Sequence, residues 1–134
     1  MQISIVPWRE VFHTWPHVEE FFAEVIPHAK GDFTLEQLRT DIFQDRMSMM
    51  VAREGAEYAG AAAMSFQNRR NHRVAHIHAV GGRMVSTDQV WEQLKMLCLA
   101  NGATEIECAT YAAAQRLWSR FGFEEKYRVL GVKL

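Results

Sequence analysis

The spacing of apolar and polar residues divides the chain into alternating predicted elements. Gln2 to Trp8 has the composition of a first strand. An apolar stripe with helical spacing follows, and we expect its helix to begin near Pro16, because the fixed φ of proline suits a first helical turn. Thr34 and Gln37 form a capping-box pattern, which predicts a second helix from Leu35 to about Gln44. The predicted order so far is strand, helix, helix.

Three further strands are predicted in the middle of the chain, joined by short polar turns. They cover Met47 to Arg53, Tyr58 to Asn68 and Arg73 to Val80, and Gly81 with Gly82 is expected to break the last of them. Short turns between consecutive strands indicate an antiparallel meander.

The last third of the chain is predicted to alternate helices with strands. A helix from Ser86 or Thr87 to Ala100 is followed by a strand from Thr104 to Thr110, a short helix, and a closing strand from Phe123 to Leu134. The helix between the strands ending at Val80 and starting at Thr104 implies a parallel crossover. The fold class is therefore α/β, a mixed sheet with helices on both faces, in the order β-α-α-β-β-β-α-β-α-β.

Composition narrows the class of protein. The 134 residues, 49% of them hydrophobic, are enough for one domain over 1–134 with its own core. A net charge of -1 favours neither nucleic acid nor an anionic membrane. No stretch reaches the roughly 20 apolar residues of a membrane span. We expect a cytoplasmic protein with Cys98 and Cys108 as free thiols and the basic residues 69–73 as a solvated turn.

The segment from Ala114 to Phe123 reads A-x-x-L-(aromatic)-x-(basic)-x-G-F. It resembles the last helix and strand entry of the GNAT N-acetyltransferase superfamily, whose element order also matches the one predicted above. The resemblance implies acetyl-CoA as co-substrate, lying in the splay between the strands 73–80 and 104–110, and a small-molecule or peptide amine as acceptor. Many family members have a tyrosine as general acid where this chain has Trp118, and Tyr111 is the candidate for a displaced acid.

The GNAT resemblance also locates a pyrophosphate loop of pattern R/Q-x-x-G-x-G/A, here the stretch from Val80 to Val90. Backbone amides at a helix start bind phosphate oxygens, but Ser86 with Gln89 predicts a capping box that occupies such amides, and the charge of Asp88 repels phosphate. Two interpretations stay open, an anion site or a simple turn with a helix cap. The candidate cofactor-binding residues are Val80, Gly81, Gly82, Arg83, Ser86 and Thr87.

His76 and His78 are the candidate proton acceptors. Alternation along the strand places both imidazoles on one side of the sheet, and imidazole titrates near neutrality. Together with Tyr111 they form the predicted catalytic set. One alternative is a metal site formed by the H-x-H pair with Glu107 as third ligand. The other is that the two histidines are half exposed on the sheet and have no catalytic or ligand-binding role. We predict no metal, and we expect Glu107 to face solvent.

A second hypothesis is a catalytically inactive GNAT-fold module that binds protein. Small GNAT-like proteins of tailed phages are similar, and the start of the helix at Asp88 to Trp91 resembles one such group. This hypothesis implies a protein partner and a role in virion assembly, with a virion-associated location. Cleft-facing amides between Gly81 and Asp88 favour the enzyme, whereas amides capped by Ser86 or covered by Met84 favour the module.

Overall fold

The computed structural model describes residues 1–84, 87–110 and 112–134, except for the side chains of residues 112 and 113. Its strands and α-helices, in chain order, are β1 (Gln2–Ile5), α1 (Val11–Val25), α2 (Leu35–Phe43), β2 (Ser48–Glu54), β3 (Glu57–Asn68), β4 (Arg73–Gly82), α3 (Asp88–Ala100), β5 (Glu105–Cys108) and α4 (Ala112–Ser119). None of the helices in these ranges has both the length and the apolar character needed to cross a membrane.

The strands form one mixed sheet in the spatial order β1-β2-β3-β4-β5. The first four strands pair antiparallel, and β4 pairs parallel with β5 through the α3 crossover. The predicted meander, the crossover and the α/β fold class are confirmed.

Each face of the sheet carries its own hydrophobic core. The α1 and α2 face buries the side chains of Met49, Val51, Ala61, Ala63 and Ala79 under those helices. The opposite face packs against α3 and α4, through Met50, Met64, Ala75, Ile77, Leu94 and Trp118. Helices therefore cover both faces, as the sequence predicts. The two cysteines are free, and burial raises the pKa of both thiols to about 11.

One extra residue interrupts the pairing of β3 with β4. Ala63 lies opposite Ala79 and Met64 lies opposite Ile77, which leaves His78 with no residue opposite it. Such a β-bulge resets the alternation of side chains. Ile77 belongs to the α3 core, whereas Ala79 belongs to the α1 core. Ala79 thus shares a face with the histidines, which simple alternation does not predict.

The first helix begins earlier than the sequence predicts. A 3₁₀ turn at Trp8–Glu10 leads directly into α1 at Val11, and Pro16 lies inside the helix. Proline removes only the hydrogen bond that its N–H would donate to the carbonyl four residues earlier, at Phe12. Phe12 is 47% exposed, so water has access to this turn of the helix. The predicted start near Pro16 is therefore wrong.

The glycine pair does not break β4, contrary to prediction, because the strand runs to Gly82. A Cβ on Gly81 would lie 2.3 Å from the carbonyl oxygen of Phe21 in α1, and one on Gly82 would lie 2.5 Å from that of Ala59 in β3. The two glycines let the end of β4 pass close to the backbones of α1 and β3.

The predicted closing strand is also wrong for the single chain, because residues 123–134 contain no strand. Phe123 packs against Trp91 and Trp118, with ring centroids 5.3 and 4.9 Å apart. Lys126 forms ion pairs with Glu105 and Glu107 of β5. A strand needs a paired edge for its backbone hydrogen bonds, and the described residues beyond Lys126 pair with no strand of the sheet.

Candidate active site

The main cavity lies where β4 and β5 separate. Their pairing ends at Ile77 and Cys108, while β4 continues to Gly82. A cavity of about 510 Å³ opens between the two strand ends. Its walls come from β4, the end of β5, α4 and the α1–α2 connection, and include His78, Val80, Ala109, Leu117, Trp118 and Phe33.

A buried carboxylate lies beside this cavity at the level of His76. Glu107 is only 8% exposed and pairs with His76 in the β4–β5 register. Both of its oxygens accept hydrogen bonds from Arg69, at 2.8 and 2.6 Å, and Lys126 Nζ donates to Oε1 at 2.8 Å. The Arg69 guanidinium holds the pKa of Glu107 well below its usual range. The expectation that Glu107 faces solvent is therefore wrong.

The ionised carboxylate of Glu107 fixes the orientation of His76. The distance from Nδ1 of His76 to Oε2 of Glu107 is 2.5 Å. An ionised carboxylate can only accept a hydrogen bond, so Nδ1 carries the hydrogen and Nε2 of a neutral ring keeps its lone pair.

A second set of hydrogen bonds leads from Arg69 to His78. Arg69 donates to Oε1 of Gln67 at 3.0 Å, which leaves Nε2 of Gln67 to donate to the Ser65 hydroxyl at 2.9 Å. Oγ of Ser65 lies 2.7 Å from Nε2 of His78. Burial, with the charge of His76, lowers the pKa of His78 to about 4, so this imidazole is neutral at physiological pH.

The structure thus brings the two predicted histidines together. Their ring centroids are 4.6 Å apart, and His78 lies in the cavity wall. Three of the partners, Ser65, Gln67 and Glu107, were not predicted for this role. Glu107 is 31 residues from His76, and only the register of a parallel crossover brings them level.

The loop before α3 supports the interpretation as a turn with a helix cap. The amide of Arg83 donates to the carbonyl of Ala59 at 2.8 Å, so β3 occupies it. Met84 is fully buried in the α3 core. The α3 N-cap is Thr87, whose hydroxyl accepts from the amide of Val90 at 3.2 Å. The predicted capping box falls on Ser86, which lies outside the described residues.

The remaining cofactor candidates lie at the rim of the cavity or beyond it. Val80 is partly buried and lines the cavity. Gly81 and Gly82 provide close packing, as described above. The side chains of Arg83 and Thr87 are exposed near the start of α3.

Two aromatic residues, Tyr111 and Trp118, bear on the predicted general acid. Tyr111 lies outside the described residues. Trp118 is 6% exposed, packs on Phe123 and contributes to the cavity wall. Its indole has no proton to give to a thiolate.

The metal alternative finds no support in the described part of the chain. No group of three or more His, Cys, Asp or Glu side chains there is arranged to hold a metal ion. Arg69 and Lys126 already occupy both oxygens of Glu107.

Comparisons with known proteins show which fold the chain shares. No family model matches the sequence, and no curated protein matches it. Solved structures match over nearly the whole chain. A probable acetyltransferase has a TM-score of 0.69 at 13% identity, with 100% of this chain and 99% of that chain covered. An aminoglycoside acetyltransferase from an uncultured soil metagenomic sample, in complex with sisomicin, has a TM-score of 0.69 at 12% identity, with coverage of 99% and 95%.

A third structure is the ribosomal-protein-alanine N-acetyltransferase from Brucella melitensis biovar Abortus 2308, with a TM-score of 0.66 at 9% identity and complete coverage of both chains. These neighbours are GNAT acetyltransferases, and the chain has their fold. The resemblance seen in the sequence is confirmed at the level of the fold.

Proposed function

We propose that the protein is an N-acetyltransferase that moves an acetyl group from acetyl-CoA to an amine. The observation that carries the proposal is the cavity at the separation of β4 and β5, with His78 in its wall and the Glu107–His76 pair behind it. The GNAT fold supports the reaction class.

Acetyl-CoA, when bound, supplies the acetyl group as an activated thioester. The attacking nitrogen forms the new C–N bond as the C–S bond breaks, and the nitrogen must lose a proton. His78, with a pKa of about 4, holds a proton only weakly at neutral pH, so we assign it to contact the acceptor and pass the proton on. We assign His76 as the final acceptor because Glu107 orients its ring and leaves the lone pair on Nε2.

The cavity suits the acyl end of the co-substrate better than the phosphate end. Val80, Ala109 and Trp118 offer apolar walls to a thioester arm. At the start of α3, β3 occupies the Arg83 amide and Asp88 places a negative charge in the first turn. We therefore assign the phosphate contact to the Arg83 guanidinium, which can bind phosphate through two parallel hydrogen bonds.

Calorimetric titration with acetyl-CoA tests the proposal first. Binding followed by thiol release, measured over a panel of primary amines that includes aminoglycosides and peptide N-termini, is the expected result. His76→Ala should lower the turnover rate by about 10²-fold or more while acetyl-CoA still binds. The matched control is His13→Ala, on an exposed position of α1, which should leave the rate unchanged. Absence of binding at millimolar acetyl-CoA overturns the proposal.

A second candidate is the inactive GNAT-fold module that binds protein, with virion assembly as one form of that role. The buried Met84, the occupied Arg83 amide and the acidic Asp88 favour it, because all three weaken a phosphate site. The same titration separates the candidates. If Asp88→Gly restores acetyl-CoA binding to a chain that otherwise shows none, the module is the correct assignment.

A further inference from the structure

Arg69 lies in the turn between β3 and β4 and bonds to two separate parts of the site. Its Nη1 and Nη2 donate to the two oxygens of Glu107 at 2.8 and 2.6 Å, which is the two-bond arrangement that a guanidinium forms with a carboxylate. Nη2 also donates to Oε1 of Gln67 at 3.0 Å. Two branches of hydrogen bonds therefore start at one side chain, one through Glu107 and the other through Gln67.

The turn that carries Arg69 is itself held in place. The amide of Arg69 donates to the carbonyl of His72 at 2.8 Å. The guanidinium of Arg73 donates to the side chain of Asn68 at 2.8 Å and to the carbonyl of Asn101 at 2.9 Å. The side chain of Arg69 is 32% exposed, so it starts at the surface and reaches inward to its partners. These bonds fix the point from which the guanidinium enters the site.

The branch through Glu107 ends at His76. Oε2 of Glu107 accepts from Nη2 of Arg69 and from Nδ1 of His76, so both neighbours of this oxygen are donors. A guanidinium can only donate, and its planar fork fixes the plane of the carboxylate. Without Arg69, the carboxylate keeps only its bonds to Lys126 and His76 and can turn about its last bond. Either nitrogen of His76 can then carry the hydrogen.

The branch through Gln67 ends at His78. Because Arg69 can only donate, it binds the amide oxygen of Gln67 and turns the amide nitrogen toward Ser65. Oγ of Ser65 accepts from that nitrogen at 2.9 Å and lies 2.7 Å from Nε2 of His78. Without Arg69, the amide can reverse, and this reversal exchanges the donor and the acceptor at Ser65. The hydrogen of the His78 ring then loses its fixed position.

We propose that Arg69 is a positioning residue that fixes the tautomers of both histidines from outside the cavity. The described walls of the cavity do not include Arg69, so it acts through Glu107 and Gln67 and not by touching a substrate. The effect of Arg69 on turnover rests on the proposed function, in which His78 and His76 are the first and the final contacts of the transferred proton. The tautomers themselves do not depend on that function.

The ring nitrogens of the two histidines can be observed directly. Long-range ¹H–¹⁵N correlation spectra of the ¹⁵N-labelled chain separate a nitrogen that carries hydrogen from one that keeps its lone pair. The variants His76→Ala and His78→Gln assign the signals. In the wild type at about pH 8, each ring should be a single tautomer, with the hydrogen of His76 on Nδ1. Arg69→Met, which removes the guanidinium, should give shifts averaged over both tautomers in both rings.

Two matched methionine variants separate the branches. Gln67→Met interrupts only the branch to His78, so averaged shifts should appear in that ring while His76 keeps one tautomer. Lys126→Met removes one donor from the carboxylate but leaves Arg69 in place, and both rings should remain single tautomers.

A conservative variant covers the case in which Arg69→Met does not fold. Arg69→Lys keeps the charge but replaces the planar fork with one ammonium. The ammonium should stay with the carboxylate of Glu107, so the ring of His78 should show averaged shifts. A circular dichroism spectrum like that of the wild type shows which variants are folded.

Turnover separates a positioning role from a purely structural one. Where the wild type turns over acetyl-CoA, Arg69→Met should lower kcat by about 10²-fold with acetyl-CoA binding unchanged, and Lys126→Met should lose far less. Averaged shifts in the wild type overturn the proposal, as do single tautomers in both rings of a folded Arg69 variant, or unchanged turnover when the rings are averaged. The spectra need no co-substrate, so a wild type without turnover overturns the proposed function, and the tautomers alone then decide the role of Arg69.

Discussion

Replacing Glu107 with glutamine should destabilise the fold by about 2–3 kcal/mol at pH 7. The carboxylate accepts two bonds from Arg69 and one from Lys126, and it is 8% exposed. Breaking a buried ion pair typically costs about 3–5 kcal/mol. We lower this range because the side chains of Arg69 and Lys126 are 32% and 34% exposed, so water replaces part of the lost interaction.

The pH dependence of this loss has a definite sign. Because the fold lowers the pKa of Glu107, its contribution is present above the unfolded value of about 4.5 and disappears as the pH falls further. The difference in free energy of unfolding between wild type and Glu107→Gln should therefore be constant from pH 8 to about 5 and shrink below that range.

Urea unfolding followed by tryptophan fluorescence measures the effect, since Trp15 reports on one core and Trp91 on the other. The control is Glu105→Gln on the same strand, which also loses a pair with Lys126 but has a side chain that is 35% exposed. Glu105→Gln should lower the free energy of unfolding by less than about 1 kcal/mol. Equal losses for Glu107→Gln and Glu105→Gln would refute the reasoning.

Three further predictions concern stability, each measured by urea unfolding. Gly81→Ala should lower the free energy of unfolding by about 3 kcal/mol, because the added Cβ meets the Phe21 carbonyl. The control Gly131→Ala, where a Cβ would have no atom within 4 Å, should change it little. Similar losses for the two variants contradict the close approach at Gly81. Met84→Ala should cost about 2–5 kcal/mol because the side chain is fully buried, and a loss below 1 kcal/mol argues against that burial. Folding lowers the pKa of His78 from about 6.5 to about 4, so the wild type should lose about 1–2 kcal/mol between pH 7 and 4. His78→Gln should remove that part of the pH slope, and an unchanged slope contradicts it.

The framework of the fold could be predicted because it depends on local signals. Alternating apolar residues and short polar turns predict the meander, and one long amphipathic helix between two strands predicts the crossover. Helix starts are less predictable. Proline is common in a first helical turn, so Pro16 suggests a helix start. The 3₁₀ turn that leads into α1 at Val11 has no comparable sequence signal.

The site was predicted less completely because its parts meet across the sheet. His76 and His78 are visible as a pair in one strand. The buried position of Glu107 depends on the β4–β5 register and on Arg69, which the sequence presents as part of a solvated turn. Gly81 is a second example of a feature that depends on distant residues. Glycine at this position suggests the end of a strand, but the structure requires it because the backbone of α1 passes too close for a side chain.

The bulge at His78 divides β4 into two parts with separate roles. On one side the strand is held in register with β5 and carries the ionic cluster around Glu107. On the other side it packs under α1 and forms the cavity wall. Because the alternation restarts at His78, substitutions at Ala79 or Val80 reshape the cavity wall without replacing a residue of the cluster. Under the proposed function, changes of acceptor preference and changes of the proton acceptor fall on different parts of β4.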